Sequence, residues 1–541
     1  MAVLDGKSGL EDKVNRHVEV VLKEYVKSAS KIESNKVFRD VIWGSSYFLP
    51  YEVAIIDTPL VQRLRDIKQL DIASLTYPTA NHSRFEHTLG VAVAAGKIVD
   101  ALFTKEEASE KGQIKDKTIQ CIKGAPGNKT GVLERVRLAA LLHDCGHGPF
   151  SHQSERLYEN MKDIIEVREA IKDIYNKTPK AHEILSFLII RSDALQNFFS
   201  TFIANNYSIS IDLKGSHIAE YIIGAPYHPS DAYSIDIING ALDADKIDYI
   251  LRDAFYSGLK LPLDLDRLLK TIDVEKDPDG RVRLSIDWAG VTALQQVVFS
   301  KMMLQSSVYE QHSVRAAQCL LKGIMKERFK FESAADYLSV SDHDILSKCS
   351  DRSVERLRTW LCCRNLPKRA FVLSGKTTDV DGSGCLPFTA YMDRVVDYSS
   401  EEEQLRNLIL DKVNEGKPSK SKIPKEAVWV SMQEPPKDTE QYFILKKSAS
   451  DASTQLLGGA FPIQSWVERY KGESWAVYVF AKKPYRADVY LAAKEVFESP
   501  PRSISTNRLA WDLCRSNMEL PVKSAHSKLK KTELVSKSKV K

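Results

Sequence analysis

Histidine and aspartate residues cluster in one part of the sequence. Six of the twelve histidines lie between His82 and His182, and an apolar run ends in the adjacent pair His143 and Asp144. Gly146 follows two residues later and favours the end of a helix. Because a neutral imidazole beside a carboxylate offers a divalent cation two ligands, this pair predicts half of a metal site.

The other ligands of such a site must come from elsewhere in the chain. His87 begins a second apolar helical pattern, and Asp245 lies in a third segment of helical spacing. Two histidines and two aspartates suit Mn, Fe, Mg or Zn, and ligand chemistry does not choose among these metals. An isolated His-Asp pair is more often a surface or capping feature. Here the apolar flanks favour a metal site, since buried ionisable groups need partners.

The elements that must position these residues are mostly helical. Apolar residues recur at helical spacing through the first three fifths of the chain, where strand-like alternation is confined to short pieces. Loop-rich stretches and short strand patterns follow and predict a smaller α+β region. We therefore expect a mainly α fold in four parts: an N-terminal helix (1–35), a helical domain (36–335), a C-terminal α+β region (336–521) and a disordered Lys- and Ser-rich tail (522–541).

Within these parts the spacing predicts individual helices and loops. Helices are expected over Leu10–Ser34, Leu60–Leu70, His87–Phe103, Leu133–Leu142, Lys180–Ser192, Asp236–Tyr256 and Ala289–Phe331. The glycine-rich stretch Gly382–Gly384 follows no phosphate-loop pattern and reads as a turn.

Composition excludes several classes of protein. The 541 residues are 43% apolar and 28% charged with a net charge of +5, which is typical of a globular chain and too mild to indicate a nucleic-acid protein. The most apolar stretch, from Leu89 to Phe103, is interrupted by Lys97 and Asp100, so no membrane segment is expected. The eight cysteines form no CxxC pair, which favours a cytoplasmic protein with free thiols.

Taken together, the residues resemble the HD-domain phosphohydrolases, which are named for a tandem His-Asp. They are more similar still to the dNTP triphosphohydrolases related to the sterile-alpha-motif-and-HD-domain protein, without a visible sterile alpha motif. The resemblance implies an HD-domain helical core in residues 36–335. It rests on Lys36–Asp40, Asp57–Leu70, His82–His87, His143–Glu155, His182–Glu183 and Asn239–Asp253.

The resemblance implies roles for the residues that match the family's motifs. The metal ligands would be His87, His143, Asp144 and Asp245. Proton transfer would fall to His147, His152 and Glu155, with His182 stabilising charge on the α-phosphate. A cationic His152 held by Glu155 could then protonate the departing 5′ oxygen, so that dNTP is cleaved to deoxynucleoside and triphosphate.

The same resemblance implies how substrate is held. Phosphates would be contacted by Arg84, Lys246, Tyr249 and Lys301, although an arginine is expected at the position of Lys301. The sugar would be contacted by Gln69, Leu70 and Asp253, and Tyr309 would pack on the deoxyribose and exclude a 2′-hydroxyl.

An activating nucleotide site between subunits is implied as well. Its residues would be Lys36, Val37, Asp57, Gln62 and Arg65. Arg39 and Trp43 depart from the asparagine and histidine that the family carries there.

Partners and purpose follow from this interpretation. Nucleoside triphosphates would be the small-molecule partners, and the chain would form a homo-oligomer, a tetramer or larger. The Lys-rich tail could touch nucleic acid weakly, and dNTP depletion would starve excess or invading DNA synthesis. Two alternatives stay open: an HD phosphodiesterase or nuclease acting on cyclic or single-stranded nucleic acid, and a catalytically silent nucleotide-sensing scaffold.

Overall fold

The computed structural model describes residues 9–110, 128–213, 217–226, 228–378, 387–433 and 476–516, with a few positions between 444 and 466. Helices make up 61% of the structure and strands 10%, which confirms the predicted mainly α fold. The expected turn at Gly382–Gly384 and the tail at 522–541 lie outside the described residues.

The chain divides into two compact units. The first comprises residues 1–309, 325–347 and 438–464, and the second comprises 310–324, 348–437 and 465–541. The segment 325–347, which spans the boundary expected at residue 335, therefore belongs to the first unit.

The first unit is built mainly of helices. In chain order these are α1 (Gly9–Ser28), α2 (Pro50–Ile56), α3 (Pro59–Gln62), α4 (Arg84–Glu110), α5 (Lys129–Leu142), α6 (His152–Tyr158), α7 (Lys162–Tyr175), α8 (Ala181–Arg191), α9 (Asp193–Asn197), α10 (Ala204–Asn206), α11 (Ile218–Ile222), α12 (Ala232–Asp236), α13 (Ala244–Ser257), α14 (Leu265–Thr271) and α15 (Val291–Leu304). Helix α16 (His312–Arg328) begins in the second unit and ends in the first, where α17 (Asp342–Leu346) follows.

Two small sheets accompany these helices. Strands β1 (Lys36–Asp40) and β2 (Gly44–Phe48) form an antiparallel hairpin in which Lys36 pairs with Phe48. A four-stranded sheet has the order β3-β4-β7-β8, with β3 (Ile272–Lys276), β4 (Val282–Ile286), β7 (Ile444–Leu445) and β8 (Gln455–Leu456).

The second unit packs helices on a three-stranded antiparallel sheet of order β5-β9-β6. Its strands are β5 (Lys368–Ser374), β6 (Val428–Met432) and β9 (Ala476–Ala481). Its helices after α16 are α18 (Arg352–Cys362), α19 (Phe388–Met392), α20 (Tyr398–Asn414), α21 (Arg486–Glu498) and α22 (Arg508–Asp512). Helices α20 and α21 contribute Leu405 and Val489 to its buried core.

Three expected helices are shorter than their apolar spacing predicts. The helix over Leu60–Leu70 stops after one turn in α3 and a 3₁₀ turn, because the chain becomes extended at Ile67. The helix over Asp236–Tyr256 breaks before α13, where the Asp243 side chain caps the new helix by accepting from Lys246 N. The helix over Ala289–Phe331 is interrupted by a π turn at Gln305–Tyr309.

The N-terminal helix also ends early. Helix α1 stops at Ser28 rather than Ser34, and it buries Leu10, Val14, Val18 and Leu22. This single apolar stripe at helical spacing is the face expected from the sequence.

Among the residues that the structure describes, one helix is long and apolar enough to cross a membrane. It is Arg84–Lys105 within α4, and 72% of that window is buried inside the fold. A helix buried to this extent is a core helix by its packing, and α4 lies against α5 and α13.

Candidate metal centre

The four expected metal ligands come from three helices and meet in the first unit. Helix α4 carries His87 in its first turn, α5 ends directly before His143 and Asp144, and α13 carries Asp245 in its first turn. His87 Nε2 lies 2.9 Å from Asp245 Oδ1 and 3.7 Å from Asp144 Oδ2. His143 Nε2 lies 3.2 Å from Asp144 Oδ1.

Both histidine rings are oriented by a hydrogen bond through their other nitrogen. His143 Nδ1 lies 2.6 Å from the carbonyl oxygen of Ala140, and His87 Nδ1 lies 2.8 Å from Asp248 Oδ2. A carbonyl can only accept, so Nδ1 of His143 carries the proton and its Nε2 presents a lone pair. That Nε2 atom is buried and has no hydrogen bond among the described residues.

This donor set fits a divalent metal. A cation about 2.0 to 2.2 Å from nitrogen and oxygen ligands requires neighbouring ligand atoms about 3 Å apart. The separations in this site are 2.9, 3.2 and 3.7 Å. The atoms offered by His87, His143 and Asp144 all lie within 4.8 Å of one another, and Asp245 adjoins this group of three at His87, 2.9 Å away.

Arg84 controls the charge of the site. Its Nη1 donates to Asp144 Oδ2 at 2.7 Å, and its Nε donates to Ser151 Oγ at 2.8 Å. Burial disfavours an ionised Asp144, but the Arg84 guanidinium outweighs burial and holds the pKa of Asp144 well below its ordinary value. Asp144 is therefore an anion ready to bind a cation.

A second cluster lies beside the metal ligands and contains the expected proton-transfer residues. Glu155 accepts from two histidines at once, with Oε2 2.8 Å from His152 Nδ1 and Oε1 2.7 Å from His182 Nδ1. The backbone N–H of His182 also donates to Oε1, at 3.1 Å. His147 stacks on His182 with ring centroids 3.9 Å apart.

The histidines of this cluster differ in their protonation. Burial disfavours a cationic His182, but the Glu155 carboxylate outweighs it and raises the pKa of His182. Burial lowers the pKa of His147 well below its usual value, and Arg84 and His182 add to the effect. Burial also lowers the pKa of His152, although Glu155 opposes this effect. His182 is thus the most readily protonated of the three histidines, whereas the sequence predicts that Glu155 keeps His152 cationic.

Close backbone packing brings the second cluster to the metal ligands. A Cβ at Gly146 would meet the carbonyl oxygen of His182 at 2.2 Å and Ser186 N at 2.5 Å. The same two segments are joined by Ser186 Oγ, which accepts from Gly146 N at 2.8 Å and donates to the carbonyl of His143 at 2.5 Å. Glycine is required here because any side chain would force α8 away.

The loop that presents His152 has an unusual backbone. Phe150 and Ser151 have positive φ values of 55° and 54°, which are uncommon for residues other than glycine and often occur at functional sites. Asp342 holds this loop, since its Oδ1 accepts from Phe150 N at 2.6 Å and its Oδ2 accepts from Lys68 N at 2.9 Å. Burial raises the pKa of Asp342 to about 7.

Two of the expected sugar-contacting residues lie together. Tyr309 donates its hydroxyl to Asp253 Oδ2 at 2.6 Å, and the other oxygen of Asp253 lies 2.8 Å from His82 Nε2. Gln69 is bonded through its backbone N–H to the carbonyl of His82 at 3.0 Å, and its neighbour Leu70 is buried. His82 therefore connects the backbone of Gln69 to Asp253, which in turn binds Tyr309.

The four residues expected to contact phosphates lie in different surroundings. Arg84 is bound to Asp144, as described above, and Lys246 Nζ donates to Asp243 Oδ2 at 2.6 Å and to the carbonyl of Gly240 at 2.8 Å. Tyr249 is half-buried on α13, and Lys301 lies half-buried in the last turn of α15.

The residues expected to bind an activating nucleotide form two pairs. Lys36 Nζ lies 3.2 Å from Asp57 Oδ2, and both side chains are about half-exposed. Arg65 Nε donates to Gln62 Oε1 at 2.8 Å. Val37 is 51% exposed on β1.

Three residues of the site were not expected from the sequence, namely Asp248, Arg252 and Asp342, and His82 was expected only as a member of the histidine cluster. A signal existed for two of them, because Asp245, Asp248 and Arg252 recur at helical spacing on one face of α13. For Asp342 there was none, since it is bonded to Phe150 across 192 residues.

Comparison with known families agrees with this geometry. Residues 84–250 match the HD domain, and residues 263–506 match the HD associated region.

Comparison with individual proteins finds relatives of moderate identity. The chain is 32% identical over 259 residues to the deoxynucleoside triphosphate triphosphohydrolase SAMHD1 of Mus musculus, covering 45% of this chain and 35% of that protein. It is 27% identical over 333 residues to the SAMHD1 homolog of Dictyostelium discoideum, covering 61% and 56%. An uncharacterized protein of Methanocaldococcus jannaschii is 29% identical over 294 residues, covering 54% and 50%. The chain thus spans between about a third and somewhat over half the length of these relatives.

A solved structure has the same fold. It is that of a hypothetical protein from Aquifex aeolicus, with a TM-score of 0.58 and 20% sequence identity, covering 85% of this chain and 100% of that one.

Proposed function

Because this chain belongs to the HD-domain family of metal-dependent phosphohydrolases, we propose that it is a dNTP triphosphohydrolase that releases deoxynucleoside and intact triphosphate. The observation that carries the proposal is the position of Glu155 with its two histidines, His152 and His182, beside the four-ligand metal site. A proton donor and a cation are thereby held next to one set of metal ligands, as cleavage of a phosphate ester needs.

The metal would be held by His87, His143, Asp144 and Asp245. When bound, a divalent metal there neutralises phosphate charge and lowers the pKa of water. Mn, Fe, Mg and Zn all suit this ligand set, because all four accept nitrogen and oxygen ligands.

The chain's own residues supply the rest of the reaction. His182, paired with Glu155, places positive charge beside the α-phosphate, and His152 donates a proton to the departing 5′ oxygen. Glu155 orients both rings through their Nδ1 atoms, so that Nε2 of each is directed away from the carboxylate. His147, kept neutral by burial, stacks on His182 and completes this cluster.

Recognition of deoxyribose would rest on Asp253 and Tyr309. The carboxylate of Asp253 can accept a hydrogen bond from a sugar hydroxyl, and Tyr309 lies directly against it. The relatives named as dNTP triphosphohydrolases support this choice of substrate, and the pairing of Asp253 with Tyr309 supplies a group that could receive the sugar.

A single assay tests the proposal. The purified chain is incubated with each dNTP, each NTP and a short single-stranded DNA in Mg or Mn, and products are identified by mass. Deoxynucleoside and triphosphate are expected from the dNTPs, and no product is expected from the NTPs or the DNA. Nucleotide monophosphates released from DNA would instead indicate a nuclease. The absence of product with every substrate and metal, including each dNTP supplied together with each NTP, would indicate a catalytically silent scaffold.

We also propose that an activating nucleotide binds the surface that carries Lys36, Val37, Asp57, Gln62 and Arg65, at an interface of a homo-oligomer. The half-exposed pair of Lys36 and Asp57 supports this proposal, because both charges are accessible to a ligand.

A further inference from the structure

Asp248 lies beneath the metal site and binds no candidate ligand except His87. Its side chain is fully buried and accepts four hydrogen bonds, two on each oxygen. Oδ2 accepts from His87 Nδ1 at 2.8 Å and from Arg252 Nε at 2.8 Å, while Oδ1 accepts from Trp43 Nε1 at 2.6 Å and from Arg252 Nη2 at 2.9 Å. Two donors on each oxygen saturate a carboxylate, so Asp248 has one defined position.

The backbone of α4 closes this position from one side. A Cβ at Gly90, one turn after His87, would lie 1.9 Å from Asp248 Oδ1 and 2.4 Å from Arg252 Nη2. Gly90 therefore admits the carboxylate and the guanidinium against the helix that carries His87. Even alanine would displace both groups, and His87 with them.

The β1–β2 hairpin closes the position from the other side. Asp40, the last residue of β1, accepts from Arg252 Nη1 at 2.7 Å through Oδ2. Its Oδ1 accepts from the backbone N–H groups of Ile42 at 2.8 Å and Trp43 at 2.9 Å, which forms the turn that presents the indole. One aspartate thus shapes the turn and attaches it to the buried network.

Away from its turn, the hairpin is held by the ion pair of Lys36 with Asp57 and by Arg137, whose Nη2 donates to the Tyr47 carbonyl at 3.4 Å. Val41 is 54% exposed and Tyr47 is 69% exposed, whereas Phe48 is buried. The contacts of Trp43 and Asp40 with Asp248 and Arg252 are therefore a substantial part of what holds the turn in place.

From these contacts we propose that Asp248 is a positioning residue for the metal ligand His87, and that the β1–β2 turn holds Asp248 through Trp43 and Asp40. Metal binding and docking of the hairpin are then linked. A docked turn keeps His87 oriented for the metal, and by reciprocity a bound metal stabilises the docked turn. The proposal rests on the metal site of the proposed function and is independent of its substrate.

The first experiment measures Mn²⁺ affinity of the full chain by isothermal titration calorimetry. Asp248→Asn is expected to weaken Mn²⁺ binding by about 10- to 100-fold, the usual effect of replacing a residue that orients a metal-ligating histidine. Trp43→Phe keeps an aromatic ring and removes one donor to Asp248, so a smaller loss, about 3- to 10-fold, is expected. Tyr47→Phe is the matched control, because it changes an exposed aromatic residue on the same hairpin, and it should bind Mn²⁺ like the parent chain.

The second experiment measures the linkage directly by amide hydrogen exchange of residues 36–48 with and without Mn²⁺. Metal should slow exchange in the hairpin of the parent chain and of Tyr47→Phe, and should slow it less in Trp43→Phe. Circular dichroism identifies any variant that fails to fold. If Asp248→Asn fails to fold, Trp43→Phe still tests the proposal.

The proposal would be overturned if folded Trp43→Phe or Asp248→Asn bound Mn²⁺ with the affinity of the parent chain. It would also be overturned if Mn²⁺ did not change the rate of amide exchange in the hairpin of the parent chain. A parent chain that binds Mn²⁺ yet hydrolyses no dNTP would instead contradict the proposed function alone.

Discussion

Replacing Glu155 with glutamine should remove the support of two histidines at once. In the structure its carboxylate accepts from His152 Nδ1 at 2.8 Å and from His182 Nδ1 at 2.7 Å, while the Glu155 side chain itself is only 8% exposed. The amide of glutamine keeps the shape but loses the negative charge, and one of its two ends becomes a donor.

The size of the effect follows from these two bonds. A hydrogen bond to a charged group contributes about 1.5 to 3 kcal/mol. Glutamine loses one of the two bonds and removes the charge from the other, so the change costs about 3 to 6 kcal/mol. At about 1.4 kcal/mol per tenfold change, kcat should fall by about 10² to 10⁴. His152→Ala, which removes a single proton donor, should lower kcat over the same range of about 10² to 10⁴. From the sequence alone, with Glu155 assigned to His152, the glutamine variant would be the milder one.

Steady-state kinetics with a dNTP and with a nitrophenyl phosphodiester separate the two roles. A nitrophenolate leaves without protonation, so His152→Ala should retain far more activity on the phosphodiester than on the dNTP. Glu155→Gln should impair both substrates, because His182 loses its partner as well. Glu166→Gln is the control, since it makes the same chemical change at a half-exposed site in α7. A Glu155→Gln defect clearly smaller than that of His152→Ala would refute the shared role.

Three further predictions follow from the geometry. Replacing His143 and Asp144 together with alanine should abolish bound metal and turnover while leaving the helical circular dichroism spectrum intact; metal content unchanged by elemental analysis would contradict the ligand assignment. Asp342, whose pKa is raised to about 7 from an ordinary value near 4, binds a proton in the folded state that it has released in the unfolded state. The free energy of unfolding should therefore decrease as pH rises from about 4 to 7, by at most about 4 kcal/mol from this group, and Asp342→Asn should flatten that slope in urea titrations. Light scattering at micromolar concentration should give the mass of a homo-oligomer with an even number of subunits, four or more, and a monomer with and without nucleotide would count against the interfacial site.

The sequence predicted structure well where the residues of a single segment were sufficient to define it. The apolar run of α5 predicted a buried helix that ends at His143 and Asp144, and the structure has that helix over Lys129–Leu142. Apolar spacing predicted helix ends less well where polar side chains compete for the backbone N–H groups. The helix expected over Leu60–Leu70 stops early, since the chain turns extended and Lys68 N is bound by Asp342 instead of by a helical carbonyl.

Residue types and local spacing by themselves determined the metal ligands to be expected and the helical class of the fold. Only the tertiary structure decided which groups orient those ligands. His87 and Asp248 are 161 residues apart, Trp43 and Asp248 are 205 apart, and Phe150 and Asp342 are 192 apart. Hydrogen bonds act over about 3 Å and require defined angles. Their partners are therefore set by how helices and the hairpin pack, which periodicity along the chain does not encode.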